Sequence, residues 1–467
     1  MVSFILPGNS ATGGYNVDNS LRFDDGSSDY LSRTTSTPTS DKIGTYSFWF
    51  KRSHLGTVQN IFNNYIDASN YAFLRFDGAD RLEFFSFNNP NYLSLRSAKL
   101  FRDTSAWYHI VLVVDTTQAT SSDRIKFYVN GVEETSFTST EYGTQNQVCN
   151  LFTSSASGNN RIGTDETNTY YIDGYMAEAV YCDGQALDAT SFGEFDEDSP
   201  TIWKPKNVSG LTFGNNGFYL DFEDSGSLGN DAAGSNNFTV NNLTAIDQST
   251  DTCTNNFAVM NSLDNYYANS TFSEGNLKIA TVSGNAAYNP ATFGLTQGKW
   301  YFEVKPTSSG DAQERNIIGI SNQSPVSSGY DGSIVIGDGF GLRGNGIMWN
   351  GSSETSGWNS FDAGDIVSVA VDFDNGKFYT ATNGTYGNSS NPSTGSNGYS
   401  FTVGTDAWFP GVNCRETSQT ATFELNFGSA PYAISSGNAD ANGYGNFEYS
   451  VPSGFYSINS KNLAEFG

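Results

Sequence analysis

The sequence predicts an all-β protein made of two tandem antiparallel β-sandwiches with extended terminal arms, and three observations carry that reading. The apolar material is weighted towards strand formers: 35 Phe and 26 Tyr among 467 residues, with aromatics at 15%. Turn formers are equally abundant, with 49 Gly set among runs of Ser, Asn and Thr, which leaves little for long amphipathic helices. The third observation is a pattern that occurs twice, WYHIVLVVDTTQATSSDRIKFYVNG at 107–131 and DIVSVAVDFDNGKFYTATNG at 365–384. Each begins with an apolar run ending in Asp, turns into a second strand and closes on Asn-Gly, the dipeptide whose positive φ angles suit a tight type I′ turn.

Taken in order, residues 1–17 are rich in Gly, Ser and Asn and read as an arm that orders by docking elsewhere. Short strands are then expected at 20–23, 29–33, 45–51, 60–66, 71–76, 81–87, 92–96, 107–115, 124–130, 161–163 and 170–182, bounded by turn formers. Within 124–130, Ile125, Phe127 and Val129 share one face and Lys126, Tyr128 and Asn130 the other, which predicts a sheet with one face in the core and one in water. A single helical turn is expected at 186–192. The strand GFYLDF at 217–222 returns to complete the first sandwich, spanning 18–224. From 225 to 272 aliphatics are scarce, and the segment reads as a linker or strap.

The second module is expected over 273–430, with strands at 277–282, 299–305, 316–321, 333–336, 339–342, 346–349, 365–373, 377–382, 407–412 and 422–427. In 365–373, Val367, Val369, Val371 and Phe373 point one way. Ile366, Ser368, Ala370 and Asp372, mostly small or polar, point the other, as on the outer side of a sheet. Residues 431–467 carry no strong period and read as a second arm.

Net charge is −26 with an isoelectric point near 4.2, which excludes nucleic acid and anionic membranes as partners, because phosphate binding needs a basic surface. Solubility explains the excess acid, and calcium binding is the sharper alternative. Four cysteines, Cys149, Cys182, Cys253 and Cys414, form no CxxC pair and only His54 and His109 are present, so a structural zinc has almost no ligands to draw on. A Cys149–Cys182 disulfide and buried free thiols both remain open. The amino terminus has no basic residue before Arg22 and an apolar run broken by Ser3, which fails as a secretory signal; no stretch approaches the ~20 apolar residues of a membrane span.

The residues NSLRF, SSDYLSR, GTYSFWFKR, WYHIVLVVD with IKFYVNG, and RIGTD followed by YIDGYMAEAVYCDGQALD resemble, in order and spacing, the laminin G-like, concanavalin A-like jelly rolls. The second module is similar to SPRY domains through GKWYFEV, IIGIS, GDIVSVAVDFDNGKFYTATNG, AWFPGV and ATFELNFG. The whole order, with the NNF motif at 255–257 and VPSGFYSINSKNL at 451–463, resembles virion proteins of marine tailed bacteriophages, especially those of cyanobacteria. That resemblance implies a non-enzymatic surface protein of the virion, a tail-fibre or spike-like adhesin binding host glycan or protein. It implies synthesis in the host cytoplasm, an amino-terminal arm docked on other virion proteins, and a homo-oligomer, a trimer by analogy to fibres. The alternatives are a capsid or tail decoration protein and, more remotely, a glycan depolymerase.

Chemistry-bearing residues are few. Glu194, Asp196 and Asp198 in GEFDEDSP echo the Glu-x-Asp-x-Glu of related glycoside hydrolases but depart at the third carboxylate and fall in a loop, so a solvated acidic loop is expected and no catalytic residue is assigned. His109 sits between apolar residues with no Cys or His nearby and no paired Ser or Asp motif, and a core histidine is expected; His54 is expected to be exposed. The laminin G resemblance implies a calcium site at the sandwich rim, for which Asp165 and Asp173 are the candidates, with turn stabilisation as the competing role. In the second module Tyr330, Asp331, Trp349, Trp358 and Arg415 lie in or beside predicted loops, where exposed aromatics suit a sugar face or protein groove and burial of the tryptophans is the competing reading.

Overall fold

The computed structural model describes residues 14–155, 158–264, 270–281, 288–308, 316–322, 339–414 and 421–467. Tyr330, Asp331, Arg415 and the strand expected at 333–336 lie outside them. The chain divides between Thr254 and Asn255 into two compact units. Strands dominate both, as the composition requires.

In the first unit one sheet runs Val132–Glu133, Ile125–Val129, Trp107–Asp115, Ile43–Arg52, Gly174–Asp183, Ser20–Phe23, Gln248–Ser249, with Phe218–Leu220 beside Gly174–Asp183. The other runs Phe137–Glu141, Asn91–Leu100, Arg81–Asn88, Asn70–Phe76, Gln59–Asp67, Asn160–Ile162, Tyr30–Arg33, Thr239–Asn241, every pair antiparallel. Alternation decides what lies between the sheets: Phe48, Phe50, Ile110 and Leu112 from one meet Leu74, Phe84 and Leu95 from the other in a single buried cluster.

The segment from 225 to 254 belongs to this unit rather than to a linker. Phe238 and Leu243 enter its core, Thr239–Asn241 extends one sheet at Tyr30–Ser32, and Gln248–Ser249 extends the other at Ser20–Leu21. Arg33 fastens it further, its guanidinium lying 4.7 Å from both the Phe218 and Phe238 ring centres and donating to the Asn216 carbonyl at 2.6 Å. The polar composition hid these contacts because a few aromatics and one arginine make them.

The second unit repeats the principle. One sheet runs Thr271–Ser273, Lys278–Ala280, Thr422–Asn426, Lys299–Ser308, Val367–Asp372, Lys377–Thr382, Thr385–Tyr386; the other runs Tyr288–Pro290, Phe409–Cys414, Asn316–Ser321, Phe340–Arg343, Met348–Trp349, Glu354–Thr355. Val367, Val369, Val371 and Phe373 pack inward as their alternation predicts. Their opposite face is not wet: Ser368, Ala370 and Asp372 are buried, because Tyr301 and Tyr379 flank Ala370 on the same face and Phe447 and Phe455 pack over it. Residues 431–467 are therefore part of the fold and not an arm. Tyr456–Ser457 pairs in parallel with Trp300–Tyr301, and Ser460–Phe466 is a short helix capped by the Asn459 side chain.

Buried carboxylates pin that layer. Glu303 accepts from the Glu448 and Tyr449 backbone N–H groups at 3.0 and 2.8 Å and from Asn426 and the Tyr301 hydroxyl. Asp440 accepts from the backbone and hydroxyl of Ser457 and from Asn462. Isolated carboxylates would be costly here, and the donors make them satisfied anchors.

The first unit covers the outer face of its own Trp107–Asp115 sheet in the same way, with Val17, Phe192, Trp203, Val208 and Cys253 packed on Trp49, Trp107, Val111 and Tyr175. Lys51 and Asp251 form a buried ion pair at 2.7 Å, and the Trp107 indole donates to the same carboxylate at 3.1 Å. Both Asn-Gly turns take the expected conformation, with φ of 48° and 79° at Asn130 and Gly131 and of 48° and 78° at Asn383 and Gly384.

Candidate cation site

One rim of the first sandwich gathers ionisable groups from three strand ends. The turn DDGSSD at 24–29 follows the Ser20–Phe23 strand, His54 follows the Ile43–Arg52 strand, and Asp173 precedes Gly174–Asp183. Because those strands are neighbours in one sheet, their ends bring Asp25, His54 and Asp173 together, with one ligand atom from each lying within 4.8 Å of the others.

Asp173 is buried and is held by the Ser53 hydroxyl, while its carbonyl accepts the Ser53 N–H at 3.2 Å. Burial pushes its carboxyl up to about 8, reinforced by the charges of Asp25 and Asp24. His54 Nδ1 lies 3.3 Å from Asp25 Oδ2, and that contact raises the imidazole above its ordinary value. Half of the His54 side chain is exposed, so the site opens to solvent on that side. Asp29, in the same turn, accepts the Asp24 N–H at 3.0 Å and is pushed up to about 7, chiefly by burial.

Two carboxylates and an imidazole form a mixed oxygen and nitrogen donor set. Calcium takes 6–8 oxygen ligands, and these three groups alone supply a poorer match to it than to a divalent ion that accepts imidazole, such as manganese or zinc. Asp165 does not join them. Its Oδ1 accepts the Thr169 and Tyr170 N–H groups at 2.7 and 3.3 Å and its Oδ2 accepts from the Thr167 hydroxyl, so it is spent on holding its own turn. Asp25 and His54 carry no sequence signal for this role, since residues 25, 54 and 173 are joined only by strand order; the acid-rich turn beside a strand end was the one available hint.

The other singled-out residues have structural surroundings. Trp349 is half-buried with the Arg343 guanidinium 4.1 Å from its ring centre, and Trp358 is buried in the second unit's core. Arg343 is held in turn by Glu354 at 2.6 Å. His109 is fully buried: its Nδ1 accepts the Trp203 indole N–H at 2.9 Å, which makes Nε2 the donor to Ser47 at 2.9 Å, and burial pulls it down to about 3. Asp196 accepts the Asp198 and Ser199 N–H groups, and Lys204 draws Asp196 and Glu194 to 3.3 and 3.6 Å. Cys149 and Cys182 are free and buried, and Cys253 is buried. Among the described residues no helix is long and apolar enough to cross a membrane.

Comparison with known proteins bears on the first unit most directly. Residues 25–189 match the family described as the concanavalin A-like lectin/glucanases superfamily. Similar solved structures include the SPRY domain of human HERC1, at 16% identity over 36% of this chain and 96% of that one with a TM-score of 0.30. A Bacteroides ovatus protein described as carbohydrate binding is 18% identical over 49% of this chain and 59% of its own, TM-score 0.34, and laminin α1 domains LG4-5 of mouse are 12% identical over 97% and 100%, TM-score 0.29. No curated protein matches the sequence. Over residues 25–189 the chain is similar to the concanavalin A-like lectins and glucanases.

Proposed function

We propose that this chain is a non-enzymatic binding protein of a virion surface, a tail-fibre or spike-like adhesin that recognises host glycan through its first unit. The observation that carries the glycan reading is the match of residues 25–189 to the lectin and glucanase superfamily. The virion setting rests on the order of the two modules and the motifs that join them. A divalent cation held by Asp25, His54 and Asp173 would neutralise the rim and brace the 24–29 turn. Enzymatic turnover is not part of the proposal, because Glu194 and Asp196 are drawn onto Lys204 and Asp196 also caps its turn.

The test is adsorption of the intact protein to host cells and to an array of their surface polysaccharides, with released reducing ends measured in parallel. The expected result is retention on at least one glycan with no release. Absence of retention on cells and on every glycan overturns the adhesin and leaves particle decoration; release that is lost in Glu194→Gln makes the protein a depolymerase.

A further inference from the structure

The outer face of the first unit's second sheet is built as a binding platform, and the strand register shows how. Asn70–Phe76, Arg81–Asn88 and Asn91–Leu100 are adjacent antiparallel strands. Their inward positions, Ala72, Leu74 and Phe76, Leu82 and Phe84, Leu93 and Leu95, are core. Alternation therefore sends Tyr71, Phe73 and Arg75, Glu83, Phe85 and Phe87, and Tyr92, Ser94 and Arg96 to the opposite face. Register then arranges these into three rows across the strands: Tyr71, Phe87 and Tyr92; Phe73, Phe85 and Ser94; Arg75, Glu83 and Arg96.

The first two rows form one aromatic belt. Phe85 lies 5.5 to 6.4 Å from the ring centres of Phe73, Tyr92, Tyr71 and Phe87, with interplanar angles of 18° to 37°. None of these rings is buried, and Tyr92 is 44% exposed. Single exposed aromatics are ordinary, whereas a contiguous set on a sheet face marks a surface that meets something. The third row supplies polar contacts at the belt's edge. Glu83 holds Arg75 at 2.7 Å and Arg96 beside it, and the Arg75 guanidinium sits 4.0 Å from the Phe73 ring centre. Both guanidinium groups are thus fixed in place, with Arg75 engaged only through Nε and its terminal N–H groups unspent among the described residues.

Charge decides the class of occupant. The chain carries a net charge of −26, so a second copy or an anionic polymer is repelled on approach. The belt itself is uncharged, and Arg75 and Arg96 are balanced by Glu83 and Asp77. A neutral polysaccharide fits: the apolar faces of its sugar rings lie on aromatic rings, and its hydroxyls take the fixed donors and acceptors of the Arg75, Glu83 and Arg96 row. We propose that this aromatic belt, distinct from the rim where Asp173 lies, is the glycan-binding surface of the first unit and that it takes neutral glycan chains. The proposal rests on the glycan-binding reading above and assigns it a surface and a ligand class.

The experiment is affinity electrophoresis of the intact protein through gels containing laminarin, xylan, galactomannan or, as the anionic probe, alginate, with Tyr92→Ala, Phe87→Ala and Asp173→Asn and with Leu263→Ser as the control. Melting curves accompany each variant, and sedimentation reports self-association. Retardation by at least one neutral probe is expected, weakened on the order of tenfold in Tyr92→Ala and in Phe87→Ala and unchanged in the control. Retardation that survives both belt substitutions in folded protein, or is lost only in Asp173→Asn, overturns the belt and leaves the glycan reading standing. Retardation by alginate alone overturns the neutral class. Failure of every probe to retard the wild type overturns the belt and the glycan reading together. A concentration-dependent dimer abolished by Tyr92→Ala makes the belt a contact between copies and overturns it as a glycan surface.

Discussion

The two Asn-Gly hairpins are near copies in structure although the sheets around them differ. In each, the Asn side chain accepts a backbone N–H from the strand opposite, His109 at 2.8 Å for Asn130 and Ile366 at 3.0 Å for Asn383, and each Asn N–H returns a bond to the same residue at 2.9 Å. In each, the glycine lies beneath an aromatic ring of the covering layer: a Cβ on Gly131 would fall 2.3 Å from Trp203, and one on Gly384 would fall 2.7 Å from Tyr449. The layers themselves are made differently. The first is assembled from stretches around Val17, from Ala189 to Val208 and at Cys253, and centres on the Lys51–Asp251 pair; the second comes from the carboxyl-terminal stretch that carries Phe447 and Phe455 and hangs on Glu303 and Asp440. A shared hairpin therefore says little about relatedness; it marks where a covered sheet needs a tight, well-anchored edge.

The largest effect should come from breaking these two anchors. Asp251→Ala leaves Lys51 buried without its partner and should cost about 4 kcal/mol. Glu303→Ala strands two backbone N–H groups and should cost about 3 kcal/mol. Limited proteolysis separates them: Glu303→Ala exposes new cuts after residue 431, whereas Asp251→Ala does not. Identical cleavage maps would mean that the two layers are not independent.

A titration probes the first unit next. Glu178 sits at a bulge with φ of 51°, buried against the Tyr219 hydroxyl at 2.9 Å, and burial raises its carboxyl from 4.5 to about 8. Its contribution to stability is complete below the unfolded-state value and is lost as pH rises through about 8. Between pH 5 and 8 the wild type should lose on the order of 3 kcal/mol relative to Glu178→Gln, read as denaturation midpoints at each pH. Parallel pH curves for the two proteins would contradict the assignment.

Substituting the hairpin glycines is a smaller test of their likeness. Gly131→Ala and Gly384→Ala each force a Cβ into a left-handed residue under a ring, and each should cost about 2 kcal/mol by thermal melting. A neutral result at only one of them would end the equivalence. Smallest is the rim: manganese or zinc should raise the wild-type melting temperature by a few degrees, calcium less, and Asp173→Asn should abolish the response.

Much of the fold was legible in the sequence because alternation is a local signal: Ile125, Phe127 and Val129, or Val367, Val369 and Val371, announce their faces directly. The covering layers were not, since Phe238, Phe447 and Phe455 stand alone in polar sequence and are held by partners far along the chain, such as Arg33 and Glu303. Likewise Asp173 was marked by resemblance, but nothing local ties it to Asp25 and His54. The belt was in view all along in NYAFLRF and RLEFFSFN, where both alternating faces are rich in apolar residues and only one can be core.

The central claim, that recognition belongs to the first unit and its belt, is tested most directly by hydroxyl-radical footprinting of the intact protein with and without the polysaccharide that retards it. Protection of Tyr71, Phe73, Phe85, Phe87 and Tyr92, with Trp349 unchanged, is the predicted result. Protection confined to Trp349 and its neighbours, with the five belt rings still open to oxidation, would contradict it.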